Sequence, residues 1–304
     1  MITRILIIFS LIFSTASFAV KKAIYGEDNR RSYDDHRVSK NARLMSMAVA
    51  LQVKARQITP IEGVESFSSI RGIPLSIKKN ICKDEVQPFS HELAVGECTG
   101  FLVGEDLLVT AGHCVSYKFK CRGYHWVFGI TDSSSKTKEI TVKNDNIYKC
   151  KEVITMQNDG RNFIDYALIR LDRKVAHKEP LKVRKRGLTD LNDDVFIIGH
   201  PNGISLKISD AAYVRKLADF YFETNLDSFF GNSGSPVINQ RTGLVEGILV
   251  NGEDDFVFDK QDNCNRYKRC EMDACRGEKA SYISLNPLLA PSMKEYWSSL
   301  QKSK

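Results

Sequence analysis

The chain has 304 residues, with 44 lysines and arginines against 37 acidic residues, a formal net charge of +7 and a hydrophobic content of 42%. This composition is typical of a globular protein and excludes a disordered chain. The basic residues are scattered, apart from a short cluster at 182–186, without the interleaved aromatic residues of a nucleic-acid-binding surface. We therefore expect no nucleic-acid partner.

The first nineteen residues have the pattern of a secretory signal peptide. One positive charge, Arg4, precedes an apolar run from Ile5 to Phe13, and small residues follow up to Ala19. The run is too short to cross about 30 Å of hydrocarbon. We expect cleavage after residue 19, no membrane anchor afterwards, and a monomer that is secreted to the periplasm or the cell exterior.

Residues 20–75 are polar and rich in charge, and they contain one helix-like stretch from Asn41 to Val53. We interpret this region as an N-terminal extension or propeptide. From about Ile81 onward, short apolar runs alternate with Gly, Asn, Asp and Ser, a pattern that predicts an all-β barrel or sandwich. Near the end, Met293, Tyr296, Trp297 and Leu300 recur at helical spacing and predict a terminal helix.

The chain contains eight cysteines, at positions 82, 98, 114, 121, 150, 264, 270 and 275. An even number in an exported chain predicts four disulfides. No pair has the spacing of a zinc site, so we expect no metal. The acidic run from Glu253 to Asp255, with Asp259 and Asp262, does not have the spacing of a calcium-binding EF-hand loop. We expect no cofactor.

Three segments contain residues suited to nucleophilic catalysis. They are TAGHC, which includes His113, an apolar run that starts at Asp165, and FFGNSGSPV around Ser233. Acyl transfer at neutral pH needs a hydroxyl nucleophile, a base that takes its proton, and a carboxylate that orients the base. Asp172, at the other end of the apolar run, is the rival carboxylate, and we interpret it as a solvated strand end.

These three segments, in this order, resemble the signature blocks of trypsin-like (chymotrypsin-fold) serine proteases over roughly residues 80–290. GNSGSP is similar to the bacterial branch that includes the glutamyl endopeptidases. The resemblance implies an all-β fold of two six-stranded antiparallel β-barrels with a C-terminal α-helix. We expect a peptidase domain over 76–304, with a first barrel at about 76–178, a second at about 179–286 and the helix at about 287–302.

The resemblance also implies roles for individual residues. His113 is the general base, Asp165 orients it, and Ser233 is the nucleophile. The backbone N–H groups of Gly231 and Ser233 would form the oxyanion hole. A disulfide between Cys98 and Cys114 matches the histidine-loop disulfide of the family. Cys121 with Cys150 is a plausible second pair, and the other four cysteines cannot be paired from the sequence.

Substrate preference in this family depends on the residue six positions before the nucleophile, which here is Asp227. The resemblance implies that Asp227 binds a substrate Arg or Lys, and that Gly247 and Gly252 leave room in the pocket. The glutamyl endopeptidases carry a histidine where this chain has Leu249. A peptidase with Glu specificity and a non-catalytic secreted protein on the same fold are the alternatives. Protein or peptide substrates are the expected partners.

The resemblance also bears on activation. Trypsin zymogens are activated when a new α-amino group pairs with an Asp before the nucleophile, but this chain has Asn232 there. Removal of the extension near Arg30 and Arg31, removal after Arg71, and a mature start near Ile24 remain open.

Overall fold

The structure is a computed structural model that describes residues 24–85, 88–116, 118–131 and 139–302. The predicted signal peptide, residues 1–19, lies outside the described residues. Strands predominate in the described part of the chain. The strands and helices are β1 Ile24–Tyr25, β2 Arg30–Ser32, α1 Lys40–Ser46, β3 Val49–Lys54, β4 Ile58–Ile61, β5 Val64–Arg71, β6 Ile73–Pro74, α2 Leu75–Lys78, β7 Leu93–Ala94, β8 Gly96–Leu102, β9 Leu107–Thr110, α3 Lys118–Gly123, β10 Tyr124–Phe128, β11 Glu139–Lys143, β12 Ile147–Asp159, β13 Ile164–Leu171, β14 Asp194–Gly199, β15 Lys207–Leu217, β16 Tyr221–Thr224, β17 Pro236–Asn239, β18 Val245–Asn251, β19 Phe256–Asp259, β20 Cys264–Tyr267, β21 Arg269–Cys270, β22 Glu278–Tyr282 and α4 Lys294–Lys302.

The first barrel is a closed antiparallel sheet of six strands in the order β10, β12, β13, β9, β8, β3. Its strands combine β-branched and aromatic residues whose side chains fill the interior, among them Phe101, Trp126 and Phe128, all at most 1% exposed. β9 and β13 pair side by side, with Ala167 opposite Thr110. This pairing brings the end of β9 close to the start of β13.

The second barrel also contains six antiparallel strands, β14, β17, β18, β22, β16 and β15, and it closes because β14 pairs with β15. β2 is added beside β15. The two barrels and the terminal helix confirm the predicted fold class. α4, preceded by a short 3₁₀ turn at Pro291–Met293, buries Trp297 against Phe220 and Tyr282.

The region predicted as an N-terminal extension, 20–75, differs from that prediction in the structure. β3 is one of the six strands of the first barrel and pairs with both β8 and β10. β1 pairs with β21, and β2 pairs with β15 of the second barrel. Removal of residues up to Arg31 or Arg71 would take strands out of the fold. The predicted boundary between 75 and 76 therefore falls inside the domain.

Four disulfides join the eight cysteines: Cys82 with Cys264, Cys98 with Cys114, Cys121 with Cys150, and Cys270 with Cys275. Both pairs expected from the sequence are confirmed. Of the other two, one links the segment 252–277 to Cys82, which follows α2, and the other closes a short loop within that segment. Within the described ranges, no helix combines the length and the apolar character needed to cross a membrane.

Candidate active site

His113 and Asp165 lie where the ends of β9 and β13 meet. The Asp165 carboxylate accepts the His113 backbone N–H at 2.9 Å through Oδ1, and its Oδ2 lies 2.6 Å from His113 Nδ1. Asp165 is 6% exposed, whereas His113 is partly open to solvent. A carboxylate on Nδ1 favours the tautomer in which Nδ1 carries the proton and Nε2 accepts one.

The turn that carries His113 is fixed from two sides. A Cβ on Gly112 would overlap the Gln157 carbonyl oxygen and lie 2.9 Å from the Asp165 carboxylate, so only glycine permits this close approach. The disulfide between Cys98 and Cys114 ties the turn to β8. Both sulfur atoms near His113 are therefore bonded to each other and cannot act as thiolate ligands for a metal.

Ser233 lies in the loop between β16 and β17 of the second barrel, and backbone contacts dock it against the first. Its carbonyl oxygen accepts the Thr99 N–H at 2.8 Å, and the Sγ of Cys114 lies 3.8 Å from the same oxygen. Because Cys114 follows His113 directly, these contacts place the Ser233 backbone near the turn that carries His113. Asp172 instead accepts the Lys149 N–H at an exposed strand end.

The loop around Ser233 leaves two amides free. The N–H groups of Phe230, Asn232, Gly234 and Ser235 donate to acceptors within the protein. Among the described residues, no acceptor is recorded for the N–H groups of Gly231 and Ser233. These are the two amides predicted to form the oxyanion hole. Gly231 has φ +94°, a conformation that other residues rarely adopt.

A cavity of about 460 Å³ opens beside Ser233. Residues 228–230 form one side and residues 249–256 another, with Lys79, Arg276 and Glu278 completing the lining. Gly252 lies directly over the Glu278 carboxylate, where a Cβ would overlap it. The structure thus places the predicted Gly252 in the pocket wall. Gly247 packs against the Phe222 ring and is not part of the lining.

Asp227 does not line this cavity, which differs from the sequence-based expectation. Its carboxylate is buried, 1% exposed, and accepts the backbone N–H groups of Tyr25 at 2.7 Å and Asn29 at 2.9 Å. Loss of hydration raises the pKa of Asp227 to about 7. The N-terminal segment packs behind residues 227–229 and donates a hydrogen bond to each carboxylate oxygen of Asp227. The Asp227 side chain therefore points away from the pocket.

Glu278 is the buried carboxylate of the pocket. It is 2% exposed, accepts the Ser228 hydroxyl on Oε2, and accepts the Glu253 N–H on Oε1 at 3.1 Å. No cationic side chain among the described residues forms an ion pair with it. Burial raises the pKa of Glu278 to about 8, and the neighbouring carboxylates of Asp255 and Glu253 add to this effect. No sequence motif marks Glu278.

Two other carboxylates of the pocket are hydrogen-bonded within the protein. Glu253 is bonded by Lys268 at 2.6 Å and by Arg276 at 3.0 Å. Although burial opposes the shift, these bonds lower the pKa of Glu253 to about 2. Asp255 accepts the Phe230 N–H with both oxygens, at 2.9 and 3.1 Å. Glu278 and Asp255 are therefore the carboxylates of this pocket for which the described residues form no ion pair, and Glu278 is the more buried of the two.

Comparison with known proteins also indicates a peptidase. Residues 98–248 match the family model described as a trypsin-like peptidase domain, which includes the segments around His113, Asp165 and Ser233. None of the curated proteins matches the chain.

Two solved structures illustrate the structural likeness. A Glu endopeptidase in complex with MPD is 18% identical with a TM-score of 0.48, over 92% of this chain and 100% of that one. The Rv3671c protease from M. tuberculosis in its active form is 14% identical with a TM-score of 0.43, over 80% and 79% of the two chains. The family assignment rests on the sequence match and not on these weak likenesses. The chain belongs to the trypsin-like peptidases and is a serine endopeptidase of that family.

Proposed function

We propose that this peptidase is secreted and cleaves peptide bonds with His113, Asp165 and Ser233 as its triad. The observation that carries the proposal is the pair of hydrogen bonds that the Asp165 carboxylate accepts from His113. This pair lies beside a loop that combines Ser233 with two free amides. These are the parts that acyl transfer needs: a nucleophile, an oriented base and donors for the developing charge.

Each group then has one task in the reaction. The Ser233 hydroxyl attacks the peptide carbonyl while His113 Nε2 takes its proton. Asp165 stabilises the imidazolium that forms, and the N–H groups of Gly231 and Ser233 stabilise the oxyanion. His113 gives the proton to the leaving amine, an acyl-enzyme on Ser233 remains, and a water molecule activated by His113 hydrolyses it.

For substrate preference, we propose that Glu278 replaces Asp227 as the group that binds a substrate Arg or Lys. A buried carboxylate without a cation is costly when ionised, so an entering guanidinium or ammonium group gains a charge-assisted hydrogen bond that the free enzyme lacks. Ser228 and Gly252 support this role, because Ser228 orients the carboxylate and Gly252 leaves it accessible from the pocket.

A preference for Glu is the second candidate, since one observation favours it. Lys79 lines the same cavity, and its Nζ lies 5.0 Å from the centre of the Phe230 ring. A substrate carboxylate that reached Lys79 would gain an ion pair. Four carboxylates line the cavity against two cations, so the balance of charge favours a basic substrate residue.

Export is the remaining part of the proposal. The pattern of residues 1–19 and the four disulfides both suit a protein that folds in an oxidising compartment. We propose that processing occurs before Ile24. That residue is buried, and its N–H donates to the Lys268 carbonyl at 2.7 Å. This contact suits a short cleaved leader and disfavours loss of a 56-residue propeptide, the length of the span 20–75.

The test is the hydrolysis of four chromogenic peptides that differ only in their last residue, Arg, Lys, Glu or Phe. The assay is run above pH 8, where Glu278 ionises. The variants are Ser233→Ala, Glu278→Gln and, as a matched surface control, Glu152→Gln. We expect no turnover by Ser233→Ala. Glu278→Gln should lower kcat/KM for Arg and Lys by about 10- to 100-fold and leave Phe unchanged, because it removes one charged hydrogen bond.

Three outcomes would contradict parts of the proposal. Turnover by Ser233→Ala would refute the nucleophile. A Glu preference that disappears in Lys79→Met would assign the pocket to acidic substrates. Absence of turnover with all four peptides and with unfolded casein would favour the non-catalytic binding protein.

A further inference from the structure

The loop that carries the two free amides is held by residues outside it. The Phe230 carbonyl accepts the N–H of Asn202, and the Gly231 carbonyl accepts the Thr99 hydroxyl at 2.8 Å. On the opposite side, the Phe230 N–H donates to Asp255. Two consecutive peptide units of the loop are therefore fixed through their carbonyl groups.

A fixed carbonyl determines where the next amide points. In a planar trans peptide unit, the C=O of one residue and the N–H of the next point in opposite directions. Because Asn202 holds the Phe230 carbonyl on one side, the Gly231 N–H points to the other side, away from the turn at 200–203. A reversal of this peptide unit would place a carbonyl where the proposed oxyanion hole needs a donor.

The turn that supplies Asn202 is itself fixed by Thr99. The His200 N–H donates to the Thr99 hydroxyl oxygen at 3.1 Å, and the same hydroxyl donates its proton to Gly231. Thr99 is fully buried in β8, and its own N–H holds the Ser233 carbonyl at 2.8 Å. One hydroxyl thus bridges the turn and the loop.

Packing leaves no room for another arrangement. Asn202 has φ +55°, a left-handed conformation that Gly and Asn adopt more readily than most other residues. A Cβ on Gly231 would lie 2.5 Å from the His200 carbonyl oxygen and 3.0 Å from the Asn202 nitrogen. The side-chain amide atoms of Asn202 are buried without a partner among the described residues. The turn is therefore held in place by hydrogen bonds of its backbone, and one of these bonds is made to the Thr99 hydroxyl.

We infer that Thr99 is a positioning residue of this peptidase: its hydroxyl keeps the turn 200–203 and residues 230–231 in the register that directs the Gly231 N–H into the oxyanion hole. The inference rests on the proposed function, because it assigns Thr99 a task in transition-state stabilisation. Thr99 itself does not contact the substrate.

The test compares Thr99→Val, which has the same shape without the hydroxyl, with Thr99→Ser, which keeps it. Loss of one oxyanion-hole donor lowers kcat by about 100- to 1000-fold, so a misdirected donor should lower kcat by about 10- to 100-fold. We expect Thr99→Val to show this loss at unchanged KM, and Thr99→Ser to retain kcat. The control Thr189→Val removes a buried hydroxyl that bonds Asp193, far from the loop.

A second measurement separates positioning from general damage. A peptide boronic acid forms a tetrahedral adduct that uses the oxyanion hole, so its inhibition constant should rise in Thr99→Val by the same factor as kcat falls. If Thr99→Val does not fold, Thr99→Ala against Thr99→Ser gives the same comparison of a variant without and a variant with the hydroxyl.

Equal kcat values for the hydroxyl-containing and hydroxyl-lacking variants, with both folded, would overturn the inference. So would a loss shared by Thr99→Ser and the control. Lack of turnover and of boronate binding by the wild-type protein would instead refute the proposed function, so the two failures are distinguishable.

Discussion

The raised pKa of Glu278 predicts that the preference for basic substrates depends on pH. Glu278 must be ionised to attract a guanidinium group, but burial raises its pKa to about 8. At neutral pH the free enzyme therefore carries mostly the neutral acid. Raising the pH through this value ionises Glu278. As a result, kcat/KM for an Arg peptide should rise with pH more than kcat/KM for a Phe peptide.

The size of the effect follows from the ionised fraction. With a pKa of about 8, roughly one tenth of the carboxyl groups are ionised at pH 7 and nine tenths at pH 9. The Arg-to-Phe ratio of kcat/KM should therefore rise by about tenfold over this range. Ser228, Glu253 and Asp255 lie next to Glu278, and Tyr25 and Arg276 also interact with its charge. Burial raises the pKa of Tyr25 and ion pairing raises that of Arg276, so neither changes its charge between pH 7 and pH 9. Both acidic groups stay ionised there, since their pKa values are about 2 and about 6.

The assay measures both peptides at each pH with one enzyme preparation, so that a pH effect on the shared catalytic steps changes both rates alike and cancels in the ratio. Arg is used because its pKa lies further above pH 9 than that of Lys, so its charge is the more constant of the two over this range. In Glu278→Gln, the ratio should be low and independent of pH. A ratio that stays constant from pH 7 to pH 9 in the wild type would refute the assignment of Glu278 as the binding carboxylate.

Three further substitutions probe the framework. Asp227→Asn should lower the free energy of unfolding by about 1–3 kcal/mol, because a buried amide loses its acceptor, while the Arg-to-Phe ratio stays unchanged; a fall in the ratio would return Asp227 to the pocket. Gly231→Ala should lower kcat at least about tenfold, since a Cβ would collide with the His200 carbonyl, and steady-state rates equal to wild type would contradict this. Replacing Cys82 and Cys264 by Ala should lower the free energy of unfolding, measured in urea, by about 2–4 kcal/mol. The reason is that a disulfide across a sequence separation of 182 strongly restrains the unfolded chain. An unchanged urea midpoint would contradict this prediction.

The triad segments were readable from the sequence because each has its own local pattern. His113 follows a strand within TAGHC, and Ser233 lies in a glycine-rich turn, GNSGSP. The fold class was readable for a similar reason, since short apolar runs between turn residues indicate strands wherever they occur. These features depend on neighbours in sequence, which a single chain displays directly.

The prediction for the N-terminal region was wrong because a helix and a strand follow each other there within one apolar pattern. The stretch from Asn41 to Val53 has apolar residues at helical spacing, but the structure forms α1 only to Ser46 and then β3 from Val49. Two apolar residues of this stretch, Leu44 and Met47, are 57% and 40% exposed. Pairing with β8 and β10 decides the strand, and pairing between distant segments leaves no local pattern.

The pocket carboxylate was misassigned because its position depends on tertiary structure. Counting back from Ser233 selects Asp227, but the count carries no information on which side of the loop a side chain lies. The N-terminal segment, about 200 residues away in sequence, takes both oxygens of Asp227. Glu278 reaches the pocket from β22, where the sequence shows only two neighbouring charged residues, Glu278 and Lys279, at the start of a strand.

The segment from Asp227 to Ser233 carries both the pocket and the proposed oxyanion hole, yet its anchors are separate. Ser228 is bonded to Glu278 at the pocket end, and Thr99 holds Gly231 at the other. Between them, Asp255 fixes the Phe230 N–H. We therefore expect a change at one end of the segment not to alter the other end. The activation free energies lost in Glu278→Gln and in Thr99→Val, calculated from kcat/KM, should then add to within about 0.5 kcal/mol in the double variant. A larger interaction energy would show that substrate binding in the pocket and orientation of the Gly231 amide are coupled through the loop.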